Sequence, residues 1–328
     1  MPVRDRKTLS LLRILEEAGE PMGSSRLAEE LAAAGTDLTE RAIRYHLHRM
    51  DELGLTESLG RAGRRLTEQG RQALSEARVS DRVGLVIAQL EELAYRTSFD
   101  PRTQQGTVVL NLSLLREGAL IAALQVMRPV FLSRLCVSDL VALYRSGERV
   151  GDLTVPPGMV ALGTVCSVTV NGILLNYGIP MHSGFGGLLE LQGRQPVRFT
   201  DIIHYGGTSL DPLEIFVKSQ MTSVTQAARG ERGRVGAGFR LIPSAALARF
   251  REVTEDMARV GLGGIAAVGR PGQSLLDIEV PLARAGVVLY AGLNPAAAVE
   301  EAGFATVNKA MSALVDFSSL VSFRHLKA

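Results

Sequence analysis

Residues 37–54 read DLTERAIRYHLHRMDELG, and this segment is the most informative about the fold of the first part of the chain. Its apolar residues Ile43, Leu47 and Met50 recur at intervals of four and three residues, which places them on one face of a helix. Gly54 is a typical residue just beyond a helix C-terminus. The stretch therefore predicts one amphipathic helix with a buried face and a solvent face.

The start and the outer face of this helix carry polar side chains. Asp37 with Glu40 fits a capping box, and Thr39 fits an N-cap one step later, so the sequence leaves both starts open. Guanidinium groups on the outer face can fork to guanine or to phosphate, and aromatic or imidazole groups beside them can reach bases or backbone. The predicted DNA contacts of this helix are Thr39, Arg41, Arg44, Tyr45 and His48.

Two helices precede this one, and a short hairpin follows it. Regularly spaced leucines give residues 9–18 an apolar face, and residues 24–31 fit a second helix that begins at a serine. Residues 60–65, GRAGRR, lie between two short strand-like pieces, as the wing of a winged helix does. Arginines at the tip of a β-ribbon suit phosphate or minor-groove contact. The predicted contacts of the wing are Arg61, Arg64 and Arg65.

Charge is unevenly placed along residues 1–80. The region contains 13 Lys or Arg and 13 Asp or Glu, so it is neutral overall. Residues 16–30 hold five acids and one arginine, whereas residues 60–72 hold four arginines and one acid. The positions of the arginines, and not the net charge, therefore favour DNA contact. The competing interpretation is that these arginines are ordinary solvated surface.

The bulk properties of the chain exclude several classes of protein. It has 328 residues, 46 % of them hydrophobic, and a formal net charge of +2, which suits two or three folded domains. The sequence contains no apolar run of about 18 residues and no signal peptide. Its two cysteines, Cys136 and Cys166, cannot form a zinc site by themselves. We therefore expect a cytoplasmic protein with no membrane segment, no metal and no cofactor.

The composition changes near residue 80, which predicts two domains, residues 1–80 and residues 81–328. The first is helical and rich in Leu, Ala, Glu and Arg, whereas the second has Val, Ile and Leu runs separated by Gly and Pro. Asn171-Gly172 is a hairpin signal between two β-like stretches. Residues 253–260 are predicted to be helical, and residues 229–238 are predicted to be a loop that divides the second domain into two lobes.

The first domain is similar to a known DNA-binding module. Residues 9–74 resemble the winged-helix domain found at the N-terminus of ribonuclease R and of the NrpR family of nitrogen-regulation repressors. The stretches that carry this resemblance are ILE at 14–16, LAEEL at 27–31, TERAIRYHL at 39–47, LGL at 53–55 and RLTEQG at 65–70.

The sequence of the second domain distinguishes between the ribonuclease R and NrpR families. Residues 83 to about 320 resemble the NrpR effector domain, and the most distinctive part lies within residues 163–190. The matching stretches are VGLVI at 83–87, GTVCS at 163–167, NGILL at 171–175, GIP at 178–180 and SGFGGLLE at 183–190. We see no ribonuclease domain in the sequence.

The resemblance to NrpR implies both a fold and a function. The expected fold is mixed α/β: an N-terminal winged helix-turn-helix followed by a larger mixed α+β domain that senses an effector and dimerises. The expected function is a homodimeric repressor that binds a double-stranded DNA operator of nitrogen-assimilation genes. It would release this operator when the allosteric effector 2-oxoglutarate binds near residues 163–190.

The residues of this stretch are chemically compatible with a small dicarboxylate, which needs hydroxyls, backbone N–H groups and a cation. Residues 183–187 are predicted to be a turn whose N–H groups face a carboxylate, and residues 205–208, YGGT, are a second candidate. Buried cysteines and glycine-rich turns usually have only a structural role. The predicted effector contacts are Thr164, Cys166, Ser167, Ser183, Gly184, Phe185, Gly186 and Gly187.

Two other functions remain open at this stage. An enzyme with a metabolite site in the second domain is one, although the sequence has no nucleophile elbow, no Walker A motif and no metalloprotease motif, so we expect no catalysis. An RNA-binding regulator is the other, because similar winged helices occur in ribonucleases.

Overall fold

A computed structural model describes residues 6–33, 38–74 and 85–326, and the chain divides into two compact units, residues 1–83 and 84–328. The first unit contains helices and one hairpin. In chain order its elements are α1 (Arg6–Ala18), α2 (Ser24–Ala33), α3 (Glu40–Glu52), β1 (Thr56–Ser58), β2 (Arg64–Leu66) and α4 (68–74).

Helix α3 confirms the amphipathic helix predicted from the sequence. Ile43, Leu47 and Met50 are buried in the core of the first unit, together with leucines from α1 and α2. The Thr39 hydroxyl accepts a hydrogen bond from the Ala42 N–H at 3.3 Å, so Thr39 is the N-cap. Asp37, the other predicted cap, lies outside the described residues, as does the predicted junction at residues 76–81.

The predicted wing is a two-stranded hairpin, β1 paired antiparallel with β2, and its tip at residues 60–62 is a short 3-10 turn. Gly63 follows the tip with a φ of 100°, and a Cβ there would lie 2.3 Å from the Met22 backbone. This close approach lets Met22 exchange two backbone hydrogen bonds with Arg64. The wing is therefore fixed to the segment between α1 and α2.

The second unit combines seven helices and twelve strands among its described residues. The helices are α5 (Leu85–Arg96), α6 (Leu120–Leu132), α7 (Val168–Asn176), α8 (Pro212–Lys218), α9 (Val224–Ala228), α10 (Leu247–Arg259) and α11 (Asn294–Glu301). The strands are β3 (Thr107–Arg116), β4 (Leu140–Tyr144), β5 (Arg149–Val150), β6 (Leu153–Thr154), β7 (Met159–Val165), β8 (His182–Gln192), β9 (Gln195–His204), β10 (Gly233–Pro243), β11 (Ile265–Val268), β12 (Arg284–Tyr290), β13 (Val307–Asp316) and β14 (Val321–Ser322).

Two five-stranded antiparallel sheets organise the second unit. One has the strand order β13-β3-β7-β4-β14 and the other β11-β12-β10-β8-β9. A buried cluster takes apolar residues from both sheets and from α7 and α10, so the sheets share one core. The structure thus confirms the mixed α/β fold with an N-terminal winged helix. No helix of the described residues is long and apolar enough to cross a membrane.

The hairpin predicted at Asn171-Gly172 is wrong, because these residues lie inside helix α7. An Asn-Gly pair forms a tight hairpin turn when both of its residues have a positive φ. Here both residues are instead part of a helix. A Cβ on Gly172 would lie 2.6 Å from the Ala94 carbonyl oxygen and 2.3 Å from the Thr97 Cβ. The glycine is therefore needed for the close approach of α5 to α7.

Two predicted irregular segments are strands. Residues 183–187, predicted to be a turn, belong to β8 and pair with β10 and β9 on either side. Their glycines allow close packing: a Cβ on Gly186 would lie 2.8 Å from the Pro212 side chain, and one on Gly187 would lie 2.5 Å from the Asp201 carbonyl oxygen. Strand β10 begins at Gly233 and covers most of residues 229–238. This segment therefore belongs to a sheet, and the predicted loop between two lobes is wrong.

Candidate functional site

The outer face of α3 places the predicted DNA contacts together. Arg41, Arg44, Tyr45 and His48 are all exposed, and their spacing of three and four residues aligns them along one side of the helix. Among the described residues, Arg44 pairs with Glu40 at 3.4 Å and His48 with Glu52 at 3.5 Å, both within the same helix. Such exposed pairs are weak, so these side chains are available to a nucleic acid.

Arg49 is a further exposed arginine on α3 that the sequence reasoning missed. It lies four residues beyond Tyr45 and eight beyond Arg41, so helical spacing alone was a sufficient signal. Neither Arg41 nor Arg49 forms an ion pair with a described residue. The outer face of α3 therefore carries three exposed arginines.

The three wing arginines have different surroundings. Arg61 is exposed at the tip, and Arg65 is exposed beside Glu57, with 2.6 Å between Arg65 Nη2 and Glu57 Oε1. Arg64 is only about a quarter exposed, and its Nε donates to Asp51 Oδ2 at 2.8 Å. Since Asp51 belongs to α3, the Arg64 pair joins the wing to that helix.

We expect Asp51→Ala to destabilise the first unit by about 1.5–3 kcal/mol, because Asp51 also accepts a hydrogen bond from the Thr56 hydroxyl at 2.6 Å. Removal of the carboxylate leaves Arg64 and Thr56 without their acceptor. Chemical denaturation measures the loss, and Glu57→Ala, which breaks the exposed Arg65 pair, is the control with little expected change. Equal losses in the two variants would show that the Asp51 pair has no special role.

A small cavity lies in the second unit among β3, β10, β13, α5, α8 and the starts of α7 and α11. Its volume is about 20 Å³, which is room for one water molecule. Its polar lining comes from separate parts of the chain: Asn111, Cys166, Ser167, Tyr205, Asp211 and Arg240. The cavity therefore has a mixed polar and apolar lining and is too small for a larger ligand in this conformation.

Arg240 is the dominant charge of this cavity. Its side chain is 1 % exposed, and it forms no ion pair with any described residue. The guanidinium donates to the carbonyl oxygens of Phe239 and Phe185 at 3.2 and 3.5 Å and stacks 5.1 Å above the ring of Tyr205, while Nε has no hydrogen-bond partner. A buried arginine without a carboxylate partner is costly, so this arrangement favours an anionic ligand.

Two helices begin at the same cavity. Ser167 and Val168 start α7, and Gly292 and Leu293 precede α11; all four residues line the cavity. Helix N-termini carry a partial positive charge and stabilise anions. The Asn294 side chain bonds to both the N–H and the carbonyl of the Gly236 backbone, which fixes the start of α11 against β10. The two helix N-termini and Arg240 therefore all contribute positive electrostatic potential to the cavity.

The structure brings only two of the predicted effector residues, Cys166 and Ser167, into the lining of this cavity. Thr164 is buried nearby, and its hydroxyl has no partner among the described residues. Phe185 contributes its carbonyl oxygen to Arg240. The others lie elsewhere in β8: Ser183, whose hydroxyl contacts the Asn171 amide, and Gly184, Gly186 and Gly187.

Burial changes the acid–base properties of the cavity residues. It raises the pKa of the Cys166 thiol to about 12, so the thiol is neutral. It also raises the pKa of Asp211, whose carboxylate caps α8 by accepting the Leu213 N–H at 2.8 Å. Tyr205 likewise has a raised pKa because of burial. Arg240 is therefore the main source of positive charge for a ligand.

Glu214, next to this cavity on α8, leads to a prediction on pH. Burial raises its pKa to about 7, although the Ala310 N–H donates to its Oε1 at 2.5 Å. The folded chain therefore holds this proton more tightly than the unfolded chain. The stability that this proton contributes is complete below pH about 4.5 and is lost as the pH rises through about 7.

We expect Glu214→Gln to gain stability relative to the wild type as the pH rises from about 5 to about 8. Glutamine keeps an oxygen for the Ala310 N–H and has no proton to lose. Urea denaturation of both proteins at the two pH values measures the difference. A stability difference that does not change with pH would contradict the assignment of this proton to Glu214.

Two family models match the chain. The model of the NrpR regulatory domains NRD1 and 2 matches residues 83–322, and the model of the ribonuclease R winged-helix domain matches residues 9–74. The first match alone covers well over half of the chain and includes the whole lining of the Arg240 cavity.

Three similar proteins are named as global nitrogen regulators. The chain is 34 % identical to the global nitrogen regulator NrpRI of Methanosarcina mazei, over 97 % of this chain and 98 % of that protein. It is 31 % identical to the global nitrogen regulator NrpR of Methanococcus maripaludis and 32 % identical to that of Methanocaldococcus jannaschii. The chain spans only 54 % and 55 % of the length of these two proteins.

A solved structure supports the same relationship. The crystal structure of a nitrogen repressor-like protein from Methanococcus jannaschii aligns with 73 % of this chain and 98 % of its own length, with a TM-score of 0.62 and 27 % sequence identity. The sequence similarity thus extends over 97 % of the chain and the fold similarity over 73 % of it. This chain therefore belongs to the NrpR family.

Proposed function

We propose that this chain is a transcriptional repressor of nitrogen-assimilation genes whose DNA binding is controlled by 2-oxoglutarate. Its relatives are named global nitrogen regulators, and its first unit is a winged helix with exposed arginines on α3. In this proposal α3 enters the major groove of a double-stranded operator and Arg61 and Arg65 of the wing contact phosphates or the minor groove. Arg64 positions the wing through Asp51.

The observation that carries the effector proposal is the buried guanidinium of Arg240, which forms no ion pair with a described residue and interacts with the Asp211 carboxyl of the same cavity only at longer range. A carboxylate of 2-oxoglutarate would form such an ion pair, and charged hydrogen bonds of this kind are strong. The hydroxyl of Ser167 and the starts of α7 and α11 would complete its contacts. Among small carboxylates we propose 2-oxoglutarate, which is the effector that the resemblance of the sequence to the NrpR family implies.

The assembly that we propose is a homodimer on a two-fold symmetric operator. One winged helix reads only a half-site, and cyclic dimers are the commonest oligomers. Sedimentation of the full chain with and without operator tests this point. A monomer that occupies the complete operator would contradict it.

Isothermal titration of the full chain with 2-oxoglutarate, glutamate and glutamine tests the effector. We expect binding of 2-oxoglutarate, with a matching rise in melting temperature, since a ligand at 100 times its Kd adds about 2.7 kcal/mol to stability. Tighter binding of glutamate or glutamine would identify that compound as the effector in place of 2-oxoglutarate. No binding of any of the three would contradict the sensor function.

Two controls separate this function from the alternatives. A sensor returns its metabolite unchanged, so we expect no loss of 2-oxoglutarate during long incubation with the protein. Competition between duplex DNA and RNA at one stated salt concentration tests the nucleic acid, because phosphate contacts depend strongly on salt. Preference for RNA would support the alternative of an RNA-binding regulator.

A further inference from the structure

Helix α6 of the second unit has apolar side chains on its outer face as well as on its inner face. Its only polar residues are Gln125 and Arg128. The inner face is buried in the core, but Ile121 and Leu132 on the outer face are 64 % and 54 % exposed. A helix that is apolar on all sides is normally buried on all sides. The outer face of α6 therefore has the composition of a buried surface.

Helix α10 shows how an outer face in contact with water differs from that of α6. Like α6, it has 13 residues and follows a long strand and a short 3-10 turn. Its exposed charged residues are Arg249, Arg251, Glu252, Glu255 and Arg259. The outer face of α6 carries one charge, Arg128, which forms no ion pair with a described residue. Few charges, exposed apolar residues and an arginine are typical of the centre of a protein interface.

A groove of about 350 Å³ lies beside this face and is formed with the end of the described chain. Its apolar lining, apart from the outer face of α6, consists of Leu124, Phe131, Phe323 and Leu326. Phe323 stacks on Phe131 of α6, with 4.4 Å between the ring centroids, which holds the two walls together. Asp139 and Arg324 are the charged residues that line it besides Arg128. An exposed apolar groove of this kind marks an interaction site.

The exposed residues of α6 on the groove side form a pattern that is the same in both directions. They are Ile121, Gln125, Arg128 and Leu132, at intervals of four, three and four residues, and all four line the groove. Alternating intervals of three and four residues form the seam between two packed helices. If two copies of α6 pack antiparallel about a two-fold axis, Ile121 lies opposite the partner's Leu132 and Gln125 lies opposite the partner's Arg128.

Pro129 strengthens the polar centre of this pattern. Proline has no N–H, so within α6 the carbonyl of Gln125, four residues earlier, loses its usual helical donor. The Gln125 side chain offers a second acceptor, while the Arg128 guanidinium offers a fork of N–H donors. Acceptors and donors therefore match at the centre of an antiparallel pair, and apolar residues match at both ends. A two-fold interface requires this self-complementarity.

We propose that the outer face of α6 and the groove beside it form the interface through which two copies of this chain dimerise, with their α6 helices antiparallel. Each copy places its Ile121 and Leu132 against the apolar groove of the other. This inference rests on the proposed function in one respect, because it assigns a surface to the homodimer proposed there.

Sedimentation equilibrium of the full chain without DNA tests the surface. Ile121→Glu and Leu132→Glu are each expected to raise the Kd of the dimer at least about 30-fold, since a carboxylate would be buried against apolar side chains. Leu282→Glu is the matched control with an unchanged Kd, because Leu282 is 90 % exposed and does not line the groove. All three side chains are exposed, so unchanged circular dichroism spectra are expected to show that the variants are folded.

Disulfide formation tests the antiparallel register. Ile121→Cys and Leu132→Cys are made in separate chains, which are oxidised alone or after mixing and subunit exchange. The native Cys136 and Cys166 do not interfere, because both are buried and burial raises the pKa of each thiol to about 12. A disulfide needs Cα atoms within about 7 Å, and two copies of the same position would lie about 16 Å apart along the helix pair. We therefore expect linked dimers from the mixture and few from either variant alone.

Three results would overturn the inference. Folded Ile121→Glu and Leu132→Glu variants with a wild-type dimer Kd would place the interface on another surface. Disulfides that form as readily in one variant alone as in the mixture would exclude the antiparallel register. A monomeric wild-type chain would refute the homodimer and this interface together, whereas operator release by 2-oxoglutarate in such a monomer would leave the proposed sensor function intact.

Discussion

Arg240→Met is expected to weaken 2-oxoglutarate binding about 10- to 150-fold, the equivalent of about 1.5–3 kcal/mol for a hydrogen bond to a charged group. The same variant is expected to be more stable than the wild type in the absence of ligand. Arg240 is almost fully buried, forms no ion pair with a described residue and has an unpartnered Nε, and methionine removes this buried charge while it fills a similar space. A variant that binds 2-oxoglutarate more weakly but is more stable without it would show that Arg240 serves ligand binding and not folding.

Calorimetry and thermal denaturation of the full chain measure the two effects. Arg234→Met on the same strand is the matched control, because Arg234 is only partly buried and does not line the cavity. Each gain of about 1 kcal/mol should raise the melting temperature by about 2–4 °C. A destabilised Arg240→Met variant that still binds 2-oxoglutarate normally would mean that Arg240 has only a structural role.

Arg44→Ala is expected to weaken operator binding by about 1–3 kcal/mol if its guanidinium reads a base edge. Its side chain is 64 % exposed in the middle of the outer face of α3, and its contact with Glu40 is an exposed pair within one helix. The helix should lose little stability, since the buried face is unchanged. The effect should therefore appear in binding and not in folding.

Fluorescence anisotropy at one fixed salt concentration measures the binding of Arg44→Ala. Arg71→Ala on α4 is the control, because Arg71 is exposed, pairs with Glu68 and lies outside α3 and the wing. A loss that is equal for operator and for unrelated DNA would assign Arg44 to phosphate contact. An affinity equal to that of the wild type would remove Arg44 from the interface.

The winged helix was predictable because its signals are local. Helical spacing of Ile43, Leu47 and Met50 sets the buried face of α3 within a dozen residues, and the Thr39 cap is part of the same segment. The sequence could not show that Arg64 pairs with Asp51, because that pair depends on how the wing folds back on α3. The arginines of the wing look alike in the sequence and differ only in their partners.

The cavity was predictable only in part, because it is assembled from distant segments. Cys166 and Ser167 lie in the most distinctive part of the resemblance, residues 163–190, and Tyr205 lies in the second candidate segment, residues 205–208, whereas Asp211 and Arg240 lie outside both. Arg240 had one local signal, an arginine between Phe239 and Leu241 in an apolar strand. The glycines of β8 were misleading, since tight packing between strands needs them as much as a turn does.

The most direct test of the account is the affinity of the full wild-type chain for its operator duplex, measured by anisotropy over a series of 2-oxoglutarate concentrations at constant salt. We expect the chain to bind the operator tightly without 2-oxoglutarate and to release it progressively as the 2-oxoglutarate concentration rises through the Kd found by calorimetry. In Arg240→Met, which should still bind the operator, the release should shift to about 10- to 150-fold higher 2-oxoglutarate concentrations. An operator affinity that is the same at every 2-oxoglutarate concentration would contradict the account.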